Sequence, residues 1–207
     1  MADYKKPDYW QLKARDEGYP ARSVYKLKEM DEKFRLINPH GKDFRILDLG
    51  AAPGSWSLYV LRKMAAGAGI SLVSADLSPL SREFDKGLFD SDAFQFYQGD
   101  FNDPVIRNSI LSHGPYNLIL SDAAPATTGN RFVDSCRSLE LCEAAASYAE
   151  AALAKGGNMA LKIFQGGDSS ELLKRLRLLF TSAKSYKPEA CRSESFEVYY
   201  IGLGRKI

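Results

Sequence analysis

From about residue 45 to its end the chain alternates short apolar runs with helical patterns, and this alternation restricts the available folds more than any other feature. Runs with strand character cover 45–49, 70–77, 94–99, 116–121, 158–164, 183–187 and 195–203, with helical patterns between them at about 54–66, 103–112, 134–154 and 169–180. Repeated strand–helix units imply a mainly parallel sheet with helices on both faces. The last two runs are joined by a connection too short for a crossover helix, so they are expected to form an antiparallel hairpin. The expected fold is α/β: a Rossmann-like, seven-stranded, mostly parallel sheet with a C-terminal antiparallel hairpin strand.

The helix expected at 169–180 is the best marked. Asp168 stands where an N-cap would, Glu171 follows three residues on, and Leu172, Leu173, Leu176, Leu179 and Phe180 form one stripe. Along 134–154, Leu139, Cys142, Ala145, Ala149 and Leu153 read as core packing, with Cys142 a small hydrophobe. Upstream of residue 45 the pattern is helical and separate. Val24, Leu27, Met30 and Phe34 make a stripe on a helix that begins at Ser23, while residues 1–20 are weakly periodic. No internal repeat or second zone of composition is visible. The chain therefore reads as one domain, residues 1–207, with a basic helical extension at 1–44 and a core at 45–207.

A length of 207 residues suffices for a full α/β core. No apolar run approaches ~20 residues, so no membrane-spanning helix is expected, and the first residues lack the apolar stretch of a secretory signal. Cys136, Cys142 and Cys191 are odd in number and lack C-x-x-C spacing, which argues against a disulfide framework or zinc site and for a reducing cytoplasm. The net charge of +2 is unevenly spread: +3 over 1–45, −6 over 46–154 and +5 over 155–207. Basic ends around an acidic centre suit a polyanion held at the rim, although charges of this size also occur as solvated surface.

Within the first strand–helix unit, Ile46-Leu47-Asp48-Leu49 runs into Gly50-Ala51-Ala52-Pro53-Gly54, and a helix carrying Leu58, Leu61 and Met64 follows. A loop almost without side chains lets a ligand approach the backbone, and the helix N-terminus offers unpaired N–H groups and a positive dipole end. The dinucleotide fingerprint G-x-G-x-x-G needs glycine at 52, where alanine stands, and no Gly-Lys-Ser/Thr phosphate loop is present. A nucleoside cofactor without phosphates fits better, and S-adenosylmethionine is the obvious one. A nicotinamide dehydrogenase is disfavoured by Ala52.

Ligands of doubly wound sheets bind beyond the C-terminal strand ends. Asp48 lies in the first strand. Asp76, followed by Leu77, ends the second and is placed to accept from a ribose diol. Asp100, followed by Phe101, comes after the third, where an adenine amino group would bind; Asp122 ends the fourth. One such aspartate is ordinarily a turn former or helix cap, but a series at successive strand ends weakens that reading. Lys162 stands in an apolar strand, where an ammonium is costly unless paired, and Asp122 at the neighbouring strand end is the candidate partner. Glu197 raises the same issue in the final strand. Lys26 borders the apolar stripe of its helix and by itself reads as a solvated lysine. His40 and His113 stand beside glycines and read as surface residues, and no cluster of His, Cys and Asp has metal-ligand spacing.

Leu47 through Trp56, Ser121-Asp122-Ala123-Ala124-Pro125, Leu161-Lys162-Ile163-Phe164-Gln165-Gly166 and Glu197-Val198-Tyr199, in this order and spacing, resemble the FtsJ/RrmJ family of S-adenosylmethionine-dependent RNA ribose 2′-O-methyltransferases. The resemblance runs from about residue 22 to residue 205. It implies a methyltransferase fold and a Lys-Asp-Lys-Glu catalytic set at Lys26, Asp122, Lys162 and Glu197. It also implies cofactor contacts at Gly54, Trp56, Asp76, Asp100 and Asp122, with Gly50, Pro53, Leu77 and Phe101 beside them, and no metal. Positioning of the ribose hydroxyl by Lys162, steadied by Asp122 and Glu197, would supply much of the acceleration. A short single-domain chain points to the bacterial branch, whose target is a uridine of large-subunit (23S) ribosomal RNA in the assembled subunit. The implied partner is RNA rather than a membrane, and the protein is expected to be a cytoplasmic monomer. Ala123, where many members carry methionine, and Asn117, where an acidic residue is common, depart from the family pattern without touching the four. The same reaction on another RNA, such as a tRNA anticodon loop, remains open. A non-catalytic ribosome-assembly factor would instead be expected to have lost part of the set. Base N-methylation is disfavoured, since no aromatic follows Asp122-Ala123-Ala124-Pro125.

Overall fold

The computed structural model describes residues 7–39, 43–64, 69–166, 169–192 and 194–207. Among them seven strands form one sheet: β1 (Phe44–Leu49), β2 (Ile70–Asp76), β3 (Phe94–Gln98), β4 (Tyr116–Ser121), β5 (Leu153–Phe164), β6 (Phe180–Tyr186) and β7 (Glu197–Arg205). Their spatial order is β3-β2-β1-β4-β5-β7-β6. The strands from β3 to β5 run parallel, and β7 enters antiparallel between β5 and β6, as the short final connection required. Successive strands proceed outward from β1 in one direction and from β4 in the other. The crevice between β1 and β4 is thus the switch point where such sheets bind ligands.

The inner strands β1, β2, β4, β5 and β7 bury both faces along much of their length, which is why their sequences are largely apolar, whereas the edge strands β3 and β6 are partly exposed. Alternate residues sort into two layers. Ile46, Leu72, Leu118, Leu120, Ala160, Tyr199 and Ile201 pack under α1 (Tyr9–Asp16), α2 (Val24–Phe34) and α3 (Ser55–Met64), meeting Leu27, Met30, Leu58 and Leu61. Leu47, Leu49, Val73, Ile119, Met159, Leu161, Val198 and Tyr200 face α4 (Pro104–Ser112), α5 (Arg131–Ala152) and α6 (Ser169–Leu179), meeting Ile110, Cys142, Ala145 and Leu172. Full burial of each such aliphatic side chain stabilises by roughly 1.5–3 kcal/mol.

The elements differ from the sequence reading mainly at their ends. β5 starts at Leu153, directly after α5, because a register shift opposite Tyr116 and Leu118 and a left-handed Gly156 (φ 78) let the chain rejoin the sheet early. Phe180 opens β6 instead of closing the helix before it. α1 was not expected. Its signal is the capping box between Asp8 and Gln11, and its periodicity is weak because Ala14 is its only buried residue. His113 is half-buried and its Nε2 lies 2.7 Å from the Tyr97 hydroxyl, so it is more than a surface residue. The N-cap reading of Asp168 and the surface reading of His40 lie outside the described residues.

Candidate active site

Strand register assembles three of the four charged residues, and α2 brings the fourth. Ser121 pairs with Leu161, which sets Asp122 beside Lys162, and in the antiparallel pair Tyr199 lies opposite Lys162 and Glu197 opposite Phe164. Side chains alternate along a strand, so Asp122 shares a face with Leu118 and Leu120, Lys162 with Ala160, and Glu197 with Tyr199 and Ile201. This is the face covered by α1 to α3, and from α2 Lys26 reaches back towards it. Lys26 Nζ lies 2.5 Å from Glu197 Oε1. Lys162 Nζ donates to the Asp122 carbonyl at 2.5 Å and lies 3.1 Å from Asp122 Oδ1, to which the Tyr199 hydroxyl also donates at 2.6 Å. Only 9% of Lys26 and 8% of Lys162 is exposed, so the expectation of a solvated Lys26 fails.

Mutual neutralisation makes this burial tolerable. Burial alone would raise Asp122, but the Lys162 and Lys26 ammonium groups and the hydrogen bonds from Tyr199 and Lys162 outweigh it and hold Asp122 below the usual carboxylate range. Burial alone would lower Lys26, yet the Asp122 and Glu197 carboxylates hold it above the ordinary lysine value. Burial and the same two carboxylates raise the Tyr199 phenol well beyond its usual range, so it remains a donor.

The first residues of α3 seat the start of α2, and with it Lys26. Trp56 Nε1 donates to the Ser23 carbonyl at 2.8 Å, and Ser55 Oγ bonds both the N–H and the carbonyl of Ala21. The Trp56 ring is buried, with its centroid 5.9 Å from that of Tyr199. Gly54, at φ 108 with Phe89 packed where a Cβ would stand, turns the chain into α3.

A cavity of about 730 Å³ opens over the C-terminal strand ends. Seven of the nine expected cofactor contacts line it: Gly50, Pro53, Asp76, Leu77, Asp100, Phe101 and Asp122; Lys162 lines it as well. Gly54 and Trp56 are not in its wall. Trp56 supports α2 from inside the core instead. Asp76 accepts from the N–H groups of Ala52 (2.9 Å) and Ser78 (2.8 Å), and Asp100 from that of Asn102 (2.8 Å). Both carboxylates therefore shape their turns while retaining lone pairs for a ligand. Gly50 has φ 74, and a Cβ there would lie 2.5 Å from the Ala123 Cα, so two loops touch with no room for a side chain. The departure at Asn117 has a structural use: its Oδ1 accepts from the Arg45 N–H at 2.8 Å. Sequence reading missed the far wall, made by Ala124, Pro125 and Ala126 with Arg137, Glu140 and Leu141 of α5. No local signal marks these α5 residues, since tertiary packing alone brings them to the cavity.

Asp48 lies beneath this floor, fully buried. Its Oδ2 accepts from Ser57 Oγ at 2.8 Å, while its Oδ1 has no hydrogen-bond partner among the described residues. Burial, reinforced by Asp122 and Asp76 against the Ser57 bond, pushes its carboxyl up to about 7.

A sheet of this order, with carboxylates at successive strand ends around a side-chain-free loop and room for a nucleoside, defines an S-adenosylmethionine-dependent methyltransferase. Comparison with known proteins narrows the class: the sequence matches the FtsJ-like methyltransferase family over residues 19–205, and the chain belongs to that family. It is 51% identical to a Treponema denticola protein named ribosomal RNA large subunit methyltransferase E, across 98% of this chain and 97% of that one. An Oleidesulfovibrio alaskensis protein of the same name is 41% identical, across 96% and 92%. A crystal structure from Plasmodium falciparum, described as a ribosomal RNA methyltransferase, superposes with a TM-score of 0.74 at 24% identity, covering 90% of this chain and 98% of that one. Among the described residues no group of three or more His, Cys, Asp or Glu side chains could hold a metal ion, and no helix is long and apolar enough to cross a membrane.

Proposed function

We propose that this protein methylates a ribose 2′-hydroxyl of RNA, and that its target is a uridine of large-subunit (23S) ribosomal RNA in the assembled subunit. The observation that carries the reading is the complete set Lys26, Asp122, Lys162 and Glu197, gathered as two ion pairs at one sheet face, with Asp122 and Lys162 in the wall of the cofactor cavity. The names of the full-length relatives support the ribosomal substrate. When bound, S-adenosylmethionine supplies a methyl group on a sulfonium sulfur that departs as a neutral thioether. Asp76 would hold the cofactor's ribose and Asp100 its adenine, with the Gly50 loop allowing close approach. Lys162 Nζ, already bonded to the Asp122 carbonyl and beside its carboxylate, donates to the 2′-oxygen and so aims one of its lone pairs at the methyl carbon, and the hydroxyl proton is released to water as the O–C bond forms. Asp122 fixes that ammonium in place. Lys26 and Glu197 complete the charge balance and steady the ribose side of the site.

All four side chains come from one chain, in keeping with a monomer, and we read residues 1–207 as one domain in which 1–44 extends a 45–207 core. The cytoplasm, where ribosomal subunits reside, is the proposed location. Mapping 2′-O-methyl groups in RNA from cells with and without this protein tests the reading. One methylated uridine of large-subunit RNA should disappear when the protein is absent. Unchanged ribosomal RNA with a lost tRNA methylation would assign the other substrate.

A further inference from the structure

A second cavity, of about 480 Å³, lies on the other side of the four charged residues. Its size falls in the range of about 300–1,000 Å³ common to small-ligand clefts. Lys26 and Glu197 line it, whereas Asp122 and Lys162 line the cofactor cavity, and Ser23 contributes to both. The catalytic set is therefore a partition, with two members facing each way. A ribose held at this partition has the second cavity open to it on the side away from the cofactor cavity.

Phe196 forms part of that second wall, one residue before Glu197. It is half-buried but held firmly: its ring centroid lies 4.8 Å from that of Phe164, at 57° between planes, and the Arg131 guanidinium sits over the ring at 5.0 Å. Its carbonyl accepts from the Gln165 N–H at 2.9 Å, so the backbone would stay in place if the ring were removed. An immobilised aromatic ring beside a catalytic pair, in a cleft that Arg22 and Arg192 also line, has the chemistry that holds a single unstacked nucleotide. Arg22 is itself engaged by Asp8 and the Ala190 carbonyl, and Glu194 also lines the cleft, so its wall carries charges of both signs.

Resting on RNA methylation as the function, we propose that the second cavity receives the target nucleotide turned out of its strand, and that its base stacks on Phe196. Base-on-aromatic stacking of this kind is ordinarily sequence-tolerant, so Phe196 contributes hold rather than base identity.

Phe196→Ala, Phe196→Trp and Phe196→Leu should be compared with the unaltered protein, measuring methyl transfer to large ribosomal subunits that lack the modification and cofactor affinity by calorimetry. Phe196→Ala should raise KM for the subunit about tenfold and leave cofactor affinity unchanged. Phe196→Trp should restore KM, whereas Phe196→Leu, apolar but without a π face, should not. Unchanged KM in Phe196→Ala would overturn the proposal, and so would rescue by leucine or an equal loss of cofactor affinity, because each assigns the ring to packing. If the unaltered protein methylates no RNA, the function proposed above fails first, and the nucleotide loses its place in this cavity with it.

Discussion

At the scale of single residues, charge in the core is tolerated where it is answered and costly where it is not. Lys26, Asp122, Lys162 and Glu197 answer one another, and removing one partner of such a buried pair ordinarily costs about 3–5 kcal/mol. Asp48 is the contrary case, a carboxyl with one oxygen unpartnered. Its folded pKa, about 7, stands above its unfolded value, so the folded state holds the proton more tightly. Stability should therefore fall as pH rises from about 4 to about 7, and the loss should persist above that range. Asp48→Asn should flatten this slope, gaining on the unaltered protein as pH rises. Denaturant unfolding at a series of pH values checks it, and parallel stability curves for the two proteins would contradict it. Lys162 and Glu197 were legible in the sequence because a charge stands out in an apolar strand. Lys26 was legible only through the family resemblance, since at the border of a helical stripe its neighbours across space decide its burial. Asp48 could be seen at the ligand end of a strand, but not that its side chain points under α3 towards Ser57.

Among the elements, the unit β1–loop–α3 does two jobs. Its loop makes one wall of the cofactor cavity, which the glycines and alanines announced. Its helix anchors the start of α2 through Trp56 and Ser55, which no spacing announced, because the partner carbonyls of Ser23 and Ala21 lie more than thirty residues upstream. Asp76 joins the two ends of the same wall, tying Ala52 to Ser78. Asp76→Ala should weaken S-adenosylmethionine binding by at least about tenfold, since hydrogen bonds to a charged group are worth ~1.5–3 kcal/mol each, while the fold persists on the packing of its two core layers. Calorimetric titration with a parallel melting curve tests this. Unchanged affinity would reduce Asp76 to a turn former. The extra helix α1 and the early start of β5 escaped the sequence for another reason: one buries a single alanine and the other turns on a left-handed glycine, and neither leaves a periodic trace.

For the whole molecule, the basic ends anticipated from the charge distribution are spent partly on the protein itself. Arg22 holds Asp8, Lys28 bonds Glu17 and Arg205 donates to the Leu153 and Glu150 carbonyls, while Lys5 and Lys6 lie outside the described residues. The second cavity's rim carries Arg192, whose exposed side chain also lies within 4.0 Å of Asp8. Arg192→Ala should weaken RNA binding several-fold and reduce the slope of log affinity against log salt by about one, with cofactor affinity unchanged. An unaltered salt slope would mean that Arg192 serves the protein surface alone. The mostly parallel sheet and its antiparallel final hairpin followed from the βα alternation and the short last connection. What the alternation left open is how inserting β7 beside β5 brings the first residue of the last strand to the end of the fifth, and so completes the group of four charged residues. The central claim is that this set performs methyl transfer with Lys162 at the reacting hydroxyl. Single-turnover transfer of labelled methyl to unmodified large ribosomal subunits tests it most directly. Lys162→Ala should lose at least ~10²–10⁴-fold in rate while still binding S-adenosylmethionine; near-normal transfer by that variant would contradict the account and leave the buried lysine a structural one.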